Sequence, residues 1–411
     1  MIKLKNIEYL FVLLIPIINA ITPILITPEL AGTGFHAGYI RSGILFSFII
    51  YFFLKRFIIN KVSIFVSIFF VYMFILALLS SDTTGSIRYL ISVIITMAML
   101  PIGYYYFKSY TDLSGLNLTL TIASAIIVIY LIYANIFQLG VSVYLDETFY
   151  TGNLSVNITK ILSVYILITP ILLSFEKKYR WLVILVASLS LIFVLIGLKR
   201  SALLAGALGL IVYTLLAPRK WFVIKVILST SIILLVLSTF FLSTFIKRWE
   251  ARQMAIEATL DVRGTYEERV DRLGEFIDVT NLVLGKGPKE ILFGISLFDH
   301  VGVIEGRGQN RPLHVDYSVF LYGSGIIGLG LFLFIYLIAH WEKKKFYTLV
   351  TKSRYIKEMN AVFYALIISG LVMSIAGSWG AVGLRSFIFL YLGAIIGVIR
   401  ETAKNQMLKT T

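Results

Sequence analysis

Apolar residues fall along this chain in long blocks separated by short polar breaks. Twelve such blocks predict helices over 7–27, 39–54, 62–80, 87–107, 118–139, 158–175, 181–198, 201–217, 222–245, 315–339, 361–378 and 384–399. Each approaches the ~20 residues that carry an α-helix through the hydrocarbon core of a bilayer. A transmembrane β-barrel would alternate strictly over about ten residues at a time. The first block, Ile7 to Thr27, follows Lys3 and Lys5. It is longer than the apolar core of a cleaved signal peptide, about 7–15 residues, and reads as the first spanning helix. The predicted fold is an all-α polytopic membrane protein with about twelve transmembrane helices.

One stretch breaks the rhythm. Residues 246–314 hold no block long enough to span, and divide the chain into helices one to nine (1–245), a large loop (246–314), and helices ten to twelve with a tail (315–411). Within the loop, "RWEARQMAIEATLDV" and "TYEERVDRLGEFIDVTNLVL" carry helix-spaced apolar residues on a charged background. "GKGP" at 285–288 ends the second of these helices, because Gly and Pro stop helices. A segment of this length barely supports a core of its own. It is expected to lie against a single integral membrane domain as a lid or wall.

Composition agrees: 58% of the residues are hydrophobic and 14% charged, against about 25% charged in soluble domains. Charge fixes the orientation. With the N-terminus inside, the inner segments hold 21 of the 37 Lys and Arg but only 6 of the 22 Asp and Glu, so the whole net charge of +15 lies on one face. That is the positive-inside bias, with both termini cytoplasmic, and not a nucleic-acid footprint. The absence of cysteine excludes disulfides and thiolate metal sites, and the four His show no zinc-ligand spacing.

The cations left on the outer face are the first candidates for chemistry. Arg41, Arg88, Lys160, Lys199, Arg200 and Arg385 lie almost all at predicted helix ends. A cation at the membrane boundary is costly without an anion, and converging Arg side chains match the oxygens of a diphosphate. The alternative for each is snorkelling to the headgroups or pairing with a local acid. In the loop, Arg263, Arg269 and Arg272 sit among Glu267, Glu268 and Asp271, which also suits a solvated face with i,i+4 pairs. A further group is "NRPLHVDYSVFLYGSGIIGLG", 310–330, where His314, Asp316 and Tyr317 meet the start of the tenth helix. His exchanges protons near neutral pH, although a lone boundary His is often structural. Gly323, Gly325, Gly328 and Gly330 suit close helix packing; with no strand before them they form no dinucleotide motif.

Taken in order, these pieces resemble the O-antigen polymerase and O-antigen ligase superfamily of bacterial cell-envelope glycosyltransferases. The resemblance rests on the many helices with one large late loop, and on "LKRSALLAG" before a mid-chain helix. It rests also on Arg269 followed by "GKG", on "LHVDYSVFLYGSGIIGLG", and on Arg385 opening the last helix. It implies a type-C glycosyltransferase-like fold in the bacterial inner membrane, with its active site facing the periplasm and short helices in the periplasmic loop. The implied substrate is a glycan on undecaprenyl diphosphate, with no cofactor, no metal and no nucleotide sugar. Arg200 with Lys199, Arg269, Arg385 and Arg88 would hold the diphosphate, with Arg272 an alternative to Arg269, and Arg41 and Tyr317 secondary. His314 would orient or deprotonate the acceptor hydroxyl, with Asp316 sharing the base role. Implied partners are membrane lipid, a chain-length regulator and the flippase of the same pathway.

Ligases of this superfamily tend to carry His-Asn-Glu at the loop end. Val315 and Asp316 depart from that pattern and favour the polymerase, which elongates the glycan on its carrier; the ligase would transfer it to lipid A core. A flippase or other transporter is the alternative from a different class. The lack of a visible repeat and the few ionisable residues in mid-helix weigh against it.

Overall fold

The computed structural model describes residues 4–25, 37–140, 150–154, 158–175, 178–197, 200–218, 272–298, 313–351, 353–375, 377 and 382–410, with single positions 246, 250, 254 and 303. Among them the secondary structure is helical, without a β-sheet. In chain order the helices are α1 (Leu4–Ile24), α2 (Ala37–Lys55), α3 (Lys61–Leu78), α4 (Thr83–Tyr106), α5 (Tyr110–Ile136), α6 (Ile158–Phe175) and α7 (Arg180–Ile196). There follow α8 (Arg200–Leu216), α9 (Arg272–Leu284), α10 (Pro288–Phe293), α11 (Asp316–Tyr347), α12 (Arg354–Ile375) and α13 (Val382–Thr410). Eight of these are long and apolar enough to cross a membrane: α1 to α5 and α11 to α13. The blocks at 158–175, 181–198 and 201–217 form the shorter apolar helices α6 to α8. The predicted helix 222–245 and the first loop helix lie outside the described residues.

Helix ends follow local chemistry more than the edges of the apolar blocks. α5 starts at Tyr110, eight residues before its apolar block, because Ser109 and Asp112 close a reciprocal capping box. Asn60 and Asp82 cap α3 and α4, each accepting one backbone N–H at 2.9 Å. α9 ends at the predicted "GKG" turn, and Pro288 then opens α10, a short helix the apolar pattern does not announce.

The chain divides into two compact units, each built from three stretches. The first comprises Met1–Arg41, Ser109–Gly264 and Thr351–Ser369. In it α1 packs on α5, and α6 on α7 and α8. Several of its interior polar groups are paired: the Tyr165 hydroxyl lies 3.3 Å from Thr121 Oγ1, Tyr213 donates to Glu358 at 2.5 Å, and Ser369 donates to the Ala205 carbonyl at 2.7 Å. Groups buried away from water keep partners because an unmade hydrogen bond there costs about 1–3 kcal/mol.

The second unit comprises Ser42–Lys108, Thr265–Val350 and Gly370–Thr411. Residues 272–298 of the large loop therefore fold as part of this unit. Its spine is α4 against α13. Gly103 on α4 faces Gly393 and Gly397 on α13; a Cβ at any of the three would meet the backbone of the opposite helix. Small residues four apart let membrane helices approach at backbone distance.

α11 is not one continuous span. It breaks at Gly325, where φ is +63°. A Cβ at Gly325 would overlap the backbone of Leu292 and Phe293, so only glycine fits both the angle and the approach. Residues 326–347 are about 33 Å long at 1.5 Å per residue, enough to cross a bilayer alone. The half-helix Asp316–Ser324 before the break is thus free for another task. Its exposed carbonyls are satisfied: Ile295 N–H donates to Tyr322 at 2.7 Å, and the Tyr72 hydroxyl to Ser324 at 2.7 Å. The segment after α10 is pinned in turn, since Ser80 and Ser86 both donate to the Leu297 carbonyl.

Candidate functional site

The candidate site is the stretch Leu313–Tyr317 at the head of that half-helix, and four other parts of the second unit grip it. From α9 comes Glu275. Glu275, Val279 and Val283 are its buried residues, spaced four apart and so on one face. The Glu275 carboxylate is 2% exposed. A single oxygen, Oε1, accepts the backbone N–H of His314 at 2.8 Å and of Val315 at 2.7 Å. Val315 is the N-cap of the half-helix and offers no side-chain cap. The carboxylate takes over that duty, with its charge at the positive end of the helix.

From the start of α13 comes Arg385, whose guanidinium forms an ion pair with Asp316, the first helical residue; the two side chains are 3% and 2% exposed. Removing two charges from water costs several kcal/mol each, and only close mutual contact offsets it. Between α12 and α13 lies Gly377, with φ +67°. It lies against the His314 carbonyl, into which a Cβ would project. α12 adds a fourth contact, as the Tyr317 hydroxyl donates to the Leu371 carbonyl at 2.6 Å. His314 itself is half-buried. The backbone carrying its imidazole is therefore fixed at the N–H, at the carbonyl side and at the next two residues.

Of the residues singled out in the sequence, His314, Asp316, Tyr317 and Arg385 are brought together. Arg272 opens α9 one turn before Glu275 and is half-buried. Arg88 is exposed on α4, in the same unit. Arg41 on α2 and Arg200, the first residue of α8, belong to the first unit. Lys199 and Arg269 lie outside the described residues. Among the described residues no three His, Asp or Glu side chains converge as metal ligands.

Two features go beyond the sequence reading. Asp316 and Arg385 were expected to act separately, one as a base and one as a diphosphate ligand; the structure pairs them. Glu275 was not singled out at all. Its signal was its register, an acid in line with Val279 and Val283 on the face that becomes buried. Chemically, the arrangement presents a proton-exchanging imidazole on a rigid backbone beside a charge-balanced pair. No protein-family model matches this chain, and no characterised protein matches it.

Proposed function

We propose that this chain is a surface-polysaccharide polymerase of the O-antigen type, a glycosyltransferase that works on lipid-linked glycans at the periplasmic face of a bacterial inner membrane. The observation that carries the reading is the fixed His314 segment, held by Glu275, Gly377 and the buried Asp316–Arg385 pair at the head of a helix that continues into a candidate membrane span. In the reaction, a sugar hydroxyl of the next lipid-linked repeat unit forms a bond to the anomeric carbon of the growing glycan. The bond from that carbon to undecaprenyl diphosphate breaks, and the carrier leaves with the electron pair. His314 takes the hydroxyl proton, a step worth about 10²- to 10⁴-fold in rate. Asp316 and Arg385 together hold the segment in place. The roles of Lys199, Arg200, Arg269 and Arg88 toward the diphosphate rest on the sequence resemblance.

Deleting the gene in its host and separating the surface polysaccharide by size tests this. A ladder that collapses to core carrying one repeat unit identifies the polymerase. Long polymer retained on the carrier with bare core identifies a ligase, and lipid-linked repeats confined to the cytoplasmic face identify a flippase. Complementation with His314→Ala, at wild-type protein level, is expected to leave the short form. A full ladder from that variant would remove His314 from the chemistry.

A further inference from the structure

Glu275 adds a component to this site that the resemblance does not supply. We infer that Glu275 is a positioning residue: it sets the backbone of His314 and so couples the loop helix α9 to the transfer step. This rests on the reading of His314 as the proton acceptor.

The geometry has three parts. First, the carboxylate is buried and one of its oxygens takes the N–H groups of both His314 and Val315. Two bonds to one charged acceptor fix the backbone on both sides of the His314 Cα, from which the imidazole projects. Second, the stretch from α9 to residue 298 is anchored to the same half-helix at its other end. There Ile295 donates to Tyr322, and Gly294, with φ +85°, approaches Gly323 and Ser324 so closely that no Cβ would fit. Third, the helix breaks at Gly325, so the half-helix does not simply continue the axis of the following span. The loop thus holds Asp316–Ser324 at both ends, beside the contacts it makes with α12 and α13. α9 is a fixed wall of the site through Glu275, and not a cover that must open and close over it.

A neutral side chain would suffice to cap a helix. A buried carboxylate carries a desolvation cost and returns a tighter, charge-assisted hold on the residue whose placement matters. An error of about 1 Å at a reacting group costs on the order of 100-fold in rate.

The test uses the full-length protein in lipid nanodiscs with a synthetic undecaprenyl-diphosphate-linked repeat unit. Glu275→Ala is expected to lower kcat about 100-fold with KM changed less than about 3-fold, because the substrate is still bound but the base is misplaced. Glu275→Gln keeps an oxygen at the same reach and is expected to recover part of that loss, the remainder being the charge-assisted share of the hold. Glu275→Asp, which retracts the carboxylate, is not, and it serves if the Ala variant fails to fold. Hydrogen exchange at the His314 and Val315 amides is read in the same samples and is expected to speed up in the Ala and Asp variants alone. Unchanged kcat with unchanged amide protection in a folded Ala variant overturns the inference, as does a loss confined to KM. Wild-type protein that transfers nothing overturns the polymerase reading and with it the positioning role, while accelerated exchange in the Ala variant would then mark Glu275 as a structural cap alone.

Discussion

The two ends of α11 and α13 make an instructive pair, because each end joins an acid on α11 with an arginine on α13 and the outcomes differ. At one end Asp316 and Arg385 meet directly, both side chains almost fully buried. At the other, Glu342 and Arg400 are joined through Tyr104. The Arg400 guanidinium lies over the Tyr104 ring at 4.2 Å, and the Tyr104 hydroxyl donates to Glu342 at 3.2 Å. Arg400 finds its ion partner one residue away, Glu401 at 2.7 Å, and Glu401 also has Lys404 at 3.5 Å. The second end thus spreads its charge over a ring, a partly exposed carboxylate and an exposed lysine. The first sets two buried charges directly against each other between two helices. A protein that needed only to fasten helices could have used the cheaper design twice. The costly one stands next to His314.

The largest expected effect breaks that contact. Asp316→Ala removes the carboxylate from a buried guanidinium and is expected to lower stability by about 3–5 kcal/mol, read as a drop in the thermal unfolding midpoint in detergent. Arg385→Ala should cost a similar amount, and the double variant should cost clearly less than the two singles combined, since it leaves no buried unpaired charge. Singles that simply add would mean the two residues do not share one interaction.

Next in size is the glycine that rests on His314. Gly377→Ala forces a side chain into the left-handed region, which costs on the order of 1–3 kcal/mol, and pushes it against the His314 carbonyl. Stability and transfer should fall together. Gly330, in the span after the break, has nothing within 4 Å of where a Cβ would stand. Gly330→Ala should therefore be neutral or stabilise by up to about 1 kcal/mol, the helix preference of Ala over Gly. If both variants behave alike, the special role of Gly377 is lost.

These glycines also show how far the sequence could be read. The apolar blocks located every described helix that is long and apolar enough to span, because burial in lipid leaves its mark residue by residue. The Ser109–Asp112 box was readable too, as a short polar signature ahead of an apolar run. Of Gly323, Gly325, Gly328 and Gly330, read together as packing residues, only Gly325 breaks the helix, and nothing in composition separates it from the others. The difference lies in Leu292 and Phe293, which the fold brings against it. His314, Asp316 and Arg385 were each visible as ionisable residues at membrane boundaries. That Asp316 takes Arg385, and that Glu275 reaches His314, are contacts between helices remote in sequence, and no local pattern encodes them.

Smaller effects belong to the Arg400 end. Tyr104→Phe keeps the ring under Arg400 and removes the hydroxyl that bonds Glu342 and faces Arg400, for about 1 kcal/mol, and leaves transfer unchanged. Glu401→Gln should be smaller still. Its carboxylate is partly open to solvent and pairs with residues on its own helix, so the ion pairs there are worth a few tenths of a kcal/mol to about 1 and shrink further as salt screens them. Measured against Asp316→Ala at low and at high salt, the contrast should widen: the exposed pair fades while the buried one, out of reach of counterions, does not. An Asp316→Ala penalty that fell with salt as steeply as that of Glu401→Gln would place the Asp316–Arg385 pair in water, where it could not hold His314 in place.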